Sequence, residues 1–274
     1  MRKRAKKSLG QNYLINEAVA RRIVEAARPA AGDLIFEIGA GTGALTSRLA
    51  GTGAETVSFE IDGALCGELG ERFAGEEGVE IVQADVLEID FDGEAERRGK
   101  EECKIIGNIP YMLTSSILIK LPEAQRARVS VIMIQKEVAE RILEEPGNRN
   151  CGILTVFLRS YLEIEKVADV GAGSFRPRPK VDSTVLRFSP SPGKGAPADR
   201  DIFLKFLKIP FSQRRKKLRN SLLDLSSGDK RRVQRVLEES TGIDMNRRAE
   251  NLKLQEWFSL FRSYKNTVGF DESG

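Results

Sequence analysis

The chain contains no histidine. That excludes a histidine general base, a histidine metal ligand and a Ser-His-Asp triad. Its three cysteines, Cys66, Cys103 and Cys151, are scattered and odd in number. They argue against a disulfide framework and a zinc site, are read as packing residues, and fit a reducing cytosol. No metal site is expected. No apolar run is long enough to span a bilayer, so no membrane partner is expected. The basic start, residues 1–7, is followed by no apolar segment and does not read as a secretory signal. The expected location is cytoplasmic.

What is present describes an ordinary soluble protein: 274 residues, 41% hydrophobic and 31% charged. That length suits two domains. The net charge of +4 is unevenly placed. Residues 1–7 carry +5 and residues 200–253 carry +8, which leaves the rest at −9. Two basic ends around an acidic middle point to a polyanionic partner.

The hydrophobic pattern alternates strands and helices. Asn16 suits the N-cap of a helix carrying Ala18, Ile23, Val24 and Ala27 and ending before Pro29. Strands are expected at 34–38, 56–59, 79–82, 104–106 and 129–134, with helices between them. Residues 92–102 read as a charged surface excursion. Further strands are expected near 162–167 and 183–188, after helices at 136–143 and 153–161. The Pro-, Gly- and Ser-rich stretch 189–197 reads as a linker. Beyond it, helices are expected over 200–208, 212–223, 229–240 and 254–264. The expectation is an α/β domain over 1–190, with a mostly parallel sheet covered on both faces, and a smaller all-α domain over 191–274.

The first strand runs straight into Gly39-Ala40-Gly41-Thr42-Gly43 and a helix, the opening unit of a nucleotide-binding α/β domain. Gly39-x-Gly41-x-x-Ala44 with Glu60 also matches a relaxed dinucleotide fingerprint, so an NAD-type dehydrogenase is a rival. Two features oppose it. Asp85, past the third strand, suits the amine of a bound adenine. Asn108-Ile109-Pro110-Tyr111, past the fourth, joins an amide, a stiff backbone and a flat ring. That cluster suits holding and reacting an exocyclic amine rather than hydride transfer.

These stretches resemble the ribosomal RNA adenine N6-dimethyltransferase family, the KsgA type, whose cousins are the erythromycin-resistance (Erm) methyltransferases. The resemblance rests on Gly10-Gln-Asn-Tyr-Leu14, Glu37-Ile-Gly-Ala-Gly-Thr-Gly-Ala-Leu-Thr46, Glu60, Asp85 and Asn108-Ile-Pro-Tyr111. It continues through Gln135-Lys-Glu-Val-Ala139, Phe175-x-Pro-x-Pro-Lys-Val-Asp-Ser183 and Gln213-Arg-Arg-Lys-Lys-Leu-Arg219. Asp169-Val-Gly-Ala-Gly173 and Cys151 depart from the family pattern without touching the cofactor motifs.

The resemblance implies a Rossmann-like, class I methyltransferase domain that binds S-adenosylmethionine (SAM) at the carboxyl ends of its strands. It implies cofactor contacts from Asn12, Leu14, Gly39, Gly41, Glu60 (ribose), Asp85 (adenine) and Asn108. Asn108, Pro110 and Tyr111 would be catalytic, with Tyr111 and Phe175 stacking on the target base. Arg214, Arg215, Lys216, Lys217 and Arg219 would grip RNA. At helical spacing Arg215 and Arg219 share one face, Arg214 and Lys217 lie on a neighbouring one, and Leu218 and Leu222 turn inward. The expected substrate is a pair of adjacent adenines near the 3′ end of 16S rRNA in the small ribosomal subunit, met by a monomer. An Erm-like enzyme of 23S rRNA and a non-catalytic RNA-binding assembly or transcription factor are the alternatives.

Overall fold

The strand β2 (Leu34–Ile38) has all five residues buried and lies in the interior of a seven-stranded sheet. A computed structural model describes residues 11–223 and 230–269. The basic segment 1–7 lies outside the described residues, as do Gly10 and the last five residues of the tail.

Beside β2 run β3 (Glu55–Glu60) and then β4 (Val79–Gln83) on one side, and β5 (Cys103–Asn108) and then β6 (Ala127–Gln135) on the other. All these pairings are parallel. The strands β7 (Leu162–Val170) and β9 (Ser183–Pro190) add antiparallel, giving the order β4-β3-β2-β5-β6-β9-β7. The chain moves outward from β2 through β3 to β4 and then returns to β5 on the other side. The carboxyl ends of β2 and β5 therefore flank a topological switch point, where α/β sheets bind ligands. A separate pair, β1 (Tyr13–Leu14) with β8 (Phe175–Arg176), is antiparallel.

The helix α1 (Glu17–Ala27) begins where Asn16 accepts the N–H groups of Ala18 and Val19. Such a cap stabilises a helix by about 1 kcal/mol. Its Ala20, Ile23, Val24 and Ala27 pack in one cluster with Ile35, Ile106 and Val131 of the sheet. After β2 comes the four-residue α2 (Thr46–Leu49), and after β3 comes α3 (Gly63–Phe73) with Leu65, Leu69 and Phe73 inward. At the start of the charged surface stretch 92–102, Phe91–Arg97 form the helix α4. Asp90 caps it through the N–H groups of Asp92 and Gly93. It is anchored by Phe91, whose ring lies 5.5 Å from Phe36. Only Phe91 and Ala95 are buried on α4, too few apolar positions to show a helical period against the surrounding charge. The helices α5 (Thr114–Lys120) and α6 (Lys136–Leu143) follow β5 and β6.

The chain divides into two compact units, with one boundary between Pro190 and Ser191 and a further segment, residues 141–161, set apart from the sheet. One unit runs to Glu140 and resumes over Leu162–Pro190; the other holds Arg141–Tyr161 and the described residues from Ser191 on. The helix α7 (Ile153–Tyr161) thus leaves the sheet unit. Its partners explain why. Tyr161 donates to the Pro197 carbonyl at 2.9 Å and lies beneath the Arg200 guanidinium. The second unit is otherwise built from α8 (Arg200–Ser212), α9 (Leu218–Leu222), α10 (Lys230–Thr241) and α11 (Leu254–Val268). An aromatic cluster of Phe203, Phe206, Trp257, Phe258, Phe261 and Tyr264 fills its core.

The helix expected over 212–223 is shorter. α8 continues through Pro210 to Ser212, residues 213–217 turn, and α9 starts at Leu218. The Leu218 and Arg219 N–H groups donate to the Arg247 and Met245 carbonyls, so tertiary partners set the start of α9. Leu218 and Leu222 do turn inward. Arg214, Arg215 and Lys217 lie on no helix, and the shared faces expected of them do not exist.

Candidate cofactor and substrate site

The carboxyl ends of β2, β3, β4 and β5 open into a cavity of about 230 Å³. Asn12, Gly39, Gly41, Glu60, Asp85, Asn108, Pro110 and Tyr111 all line it. Each is there for a local reason. Gly41 has φ 58°, where an L side chain is strained, and a Cβ would sit 3.4 Å from the Tyr13 ring. Glu60 ends β3 and is buried. Its two carboxylate oxygens accept the Gly41 and Asp62 N–H groups, each at 2.9 Å. Asp85 accepts the Leu87 N–H at 2.9 Å, capping a 3-10 turn over Val86–Glu88 while facing the cavity. Capping and lining coexist in that residue.

Asn108 ends β5, and its Nδ2 donates to the Asn12 carbonyl at 3.2 Å, which fixes the amide plane. The Pro110 carbonyl accepts the Leu113 N–H at 3.0 Å and closes the turn. Tyr111 is partly buried, and its Oη shares a 3.0 Å hydrogen bond with Ser183 Oγ. Burial pushes the Tyr111 phenol up, the Ser183 hydrogen bond opposes this, and the Asp182 charge adds to it.

Two assigned residues are elsewhere. Leu14 lies in the core cluster with Ile23, Ile106 and Phe175 and does not line the cavity. β1 explains this: side chains alternate along a strand, so Tyr13 faces the cavity and Leu14 faces the core. Phe175 pairs with Leu14 across β1 and β8, so both point to the same side. Phe175 is only 3% exposed. It packs in the core cluster rather than in the cavity lining.

Sequence reasoning missed Gln11, Tyr13, Ile61 and Met112 in the lining. Tyr13 donates to Gln11 Oε1 at 2.7 Å. Its phenol is pushed up by burial first and then by the charges of Glu60, Asp62 and Glu68. Ile61 and Met112 are large apolar residues left 48% and 65% exposed at the mouth. The usable signal was their position directly after Glu60 and Tyr111. The acceptor set suits a nucleoside: a fixed carboxylate for vicinal hydroxyls, a second carboxylate for an amine, and apolar walls for a purine face.

The basic residues are not equivalent. Arg214 is held by the Glu250 carboxylate at 3.3 Å and by the Arg149 and Cys151 carbonyls. It ties together segments of its own unit while its side chain stays 40% exposed. Arg215, Lys216, Lys217 and Arg219 are exposed. Lys216 and Arg219 join Asn220, Leu223, Lys230 and Gln234 around a groove. Cys103 and Cys151 are buried, with thiols pushed up to about 12 and about 11. Among the described residues no group of acidic, cysteine or histidine side chains is placed to hold a metal ion. No helix there is long and apolar enough to cross a membrane.

The profile of the ribosomal RNA adenine dimethylase family matches residues 2–266. Ribosomal RNA small subunit methyltransferase A of Thermotoga neapolitana is 37% identical over 98% of this chain and 95% of that protein. The protein of the same name from Geobacter sulfurreducens is 38% identical over 94% of each. Among solved structures, a dimethyladenosine transferase from Plasmodium falciparum superposes with TM-score 0.78 and 25% identity, covering 94% of this chain and 98% of that one. The 23S rRNA methyltransferase ErmE superposes at 0.67 with 26% identity, over 93% of this chain and all of that one. With a match of this extent, from the strand-end cavity through the helical unit, the chain belongs to the ribosomal RNA adenine dimethylase family.

Proposed function

We propose that the protein transfers methyl groups from SAM to N6 of two adjacent adenines near the 3′ end of 16S rRNA in the small ribosomal subunit. It would act in the cytoplasm as a monomer. The observation that carries this is one cavity containing both halves of the chemistry. Glu60 and Asp85 line it and would bind a nucleoside, and Asn108 to Tyr111 line it and would bind an amine. Intact Asn108, Pro110 and Tyr111 favour an enzyme over a non-catalytic RNA-binding factor. The relatives named for the small subunit favour that substrate over a 23S adenine.

SAM supplies an electrophilic methyl group on a sulfonium. Glu60 would hold the ribose hydroxyls, Asp85 the cofactor's adenine amine, and Ile61 and Val86 its purine face. The lone pair of a substrate N6 is delocalised into the ring and is a poor nucleophile. The Asn108 side-chain oxygen and the backbone carbonyl near Ile109 and Pro110 would accept hydrogen bonds from its N–H groups and turn the nitrogen toward tetrahedral geometry as the S–CH3 bond breaks. Tyr111 would stack on the flipped base, worth about 1–3 kcal/mol. No strong base is needed, which suits a chain without histidine. Positioning would supply most of the rate. The exposed cations of the second unit would hold RNA phosphates, and folded RNA is read mainly by shape.

Incubating the protein with labelled SAM and small subunits lacking the modification, then mapping label by nuclease digestion, tests the reading. Label on two adjacent adenines near the 3′ end supports it. Label on 23S rRNA, or none, overturns it.

A further inference from the structure

Phe175, which opens the motif ending in Ser183, is buried in the core, yet the motif's last residue reaches Tyr111. Ser183 is fully buried and begins β9. It is paired on both sides, with Gln135 of β6 and Val170 of β7. The preceding Asp182 accepts the Lys136 N–H through its carbonyl at 3.0 Å and the Ala172 N–H through its carboxylate at 2.9 Å. The segment carrying Ser183 is therefore held on both sides. Tyr111, by contrast, sits on a three-residue 3-10 turn with no side-chain cap at the mouth of the cavity. A phenol ring there has two soft torsions, and the Ser183 bond is the polar contact at its far end.

We propose that Ser183 is a positioning residue. Its hydroxyl holds the Tyr111 ring in the orientation that receives the substrate base. This rests on the methyl-transfer reading above and gives the motif a specific role, that of transmitting the rigidity of the sheet to a ring on a short turn. The hydroxyl makes no contact with cofactor or base in this role. Losing it frees ring rotation and lowers the fraction of bound base that is correctly held.

The test is a double-mutant cycle with Ser183→Ala and Tyr111→Phe in the full chain. Each variant removes one end of the bond and leaves the ring and the volume nearly unchanged. Either substitution should lower kcat by roughly 3- to 10-fold, the range of one neutral hydrogen bond. The double variant should lose no more than either single one. SAM affinity by calorimetry should stay at the wild-type value. Fold-changes that multiply in the double variant, or an unchanged kcat in Ser183→Ala, overturn the proposal. So does a SAM affinity that falls in step with kcat, because that marks a loosened site rather than a misplaced ring. A second arm needs no turnover: NMR of tyrosine-labelled protein, with the Tyr111 signals identified from Tyr111→Phe. Ser183→Ala should move or broaden those ring signals, and unchanged signals overturn the proposal. Wild type that methylates nothing would sink the functional reading while this arm still decides the Ser183 contact.

Discussion

The Glu60 carboxylate accepts the backbone N–H of Gly41 at 2.9 Å, across 19 positions of chain. The end of β3 and the glycine loop after β2 are thereby one structure. The acid that would take the ribose also sets the shape of the loop over which the cofactor would lie. Its second oxygen is fixed by the Asp62 N–H, so the carboxylate is oriented before any ligand arrives.

Glu60→Ala should therefore have two effects. SAM affinity should fall by about 10- to 100-fold, the range for charge-assisted hydrogen bonds. Thermal stability should also fall, because two backbone N–H groups lose their acceptor. Asp85→Ala should weaken SAM binding as well, with a smaller loss of stability from one lost cap. RNA affinity by gel shift should stay near wild type for both. Unchanged SAM affinity in both variants would sink the cofactor assignment.

Asn108→Ala should bind SAM and RNA yet lose turnover by roughly 10²-fold, the scale of a misplaced reacting group. Removing the amide also releases the Asn12 carbonyl, so a modest loss of SAM affinity is expected. Near-normal turnover would show that another group orients the amine. Tyr111→Ala should lose more activity than Tyr111→Phe, because stacking needs the ring more than the hydroxyl.

Glu37 is a buried carboxylate beneath the glycine loop. It accepts from Thr46 and Ser58, each at 2.6 Å, while its Oε1 has no partner among the described residues. Burial pushes its acid up; the Ser58 and Thr46 hydrogen bonds oppose this incompletely, and Glu60 adds to the rise. A folded-state value above the unfolded one means that the folded protein holds its proton more tightly. The stabilisation is fully present below the ordinary carboxylate value of 4.5 and is lost as pH rises through the folded value. Glu37→Gln keeps the shape without the ionisation. Its melting temperature relative to wild type should rise as pH is raised from 5 to 8. A difference that stays flat over that range would show that burial of this charge does not limit stability.

Much of the site was legible because strand ends are. Ile38, Glu60 and Asn108 each close an apolar run, and polar residues just past such runs meet at one edge of a parallel sheet. The misplaced residues fail for tertiary reasons. Leu14 and Phe175 lie on two-residue strands, too short for alternation to announce which face is inside. The helix expected through Arg214 has adequate local propensity. The Arg247 and Met245 carbonyls, some 26–29 positions onward, instead set where α9 begins. The transfer of α7 to the second unit rests on long-range contacts of Tyr161, which no local pattern encodes.

The basic turn before α9 gives the last prediction, and the structure changes which residues to replace. Arg214 is tied to Glu250 and two carbonyls, so Arg214→Gln should lower thermal stability before it alters RNA binding. Arg215, Lys217 and Arg219 are exposed, and they carry the test. If each contacts one phosphate, each Gln replacement removes about 0.7–0.9 from the slope of log affinity against log salt. The triple variant should thus lose roughly 2–2.7 from that slope. It should bind RNA much more weakly at low salt and approach wild type at high salt. SAM affinity should not change, because the cavity proposed for the cofactor is built by the other unit. A solvated surface with no RNA role predicts the opposite, with affinity and slope both at the wild-type value. RNA affinity measured across a salt series for wild type, the triple variant and Arg214→Gln separates these outcomes. Superimposed lines for wild type and the triple variant would exclude this surface as the RNA grip, whatever Arg214→Gln does to stability.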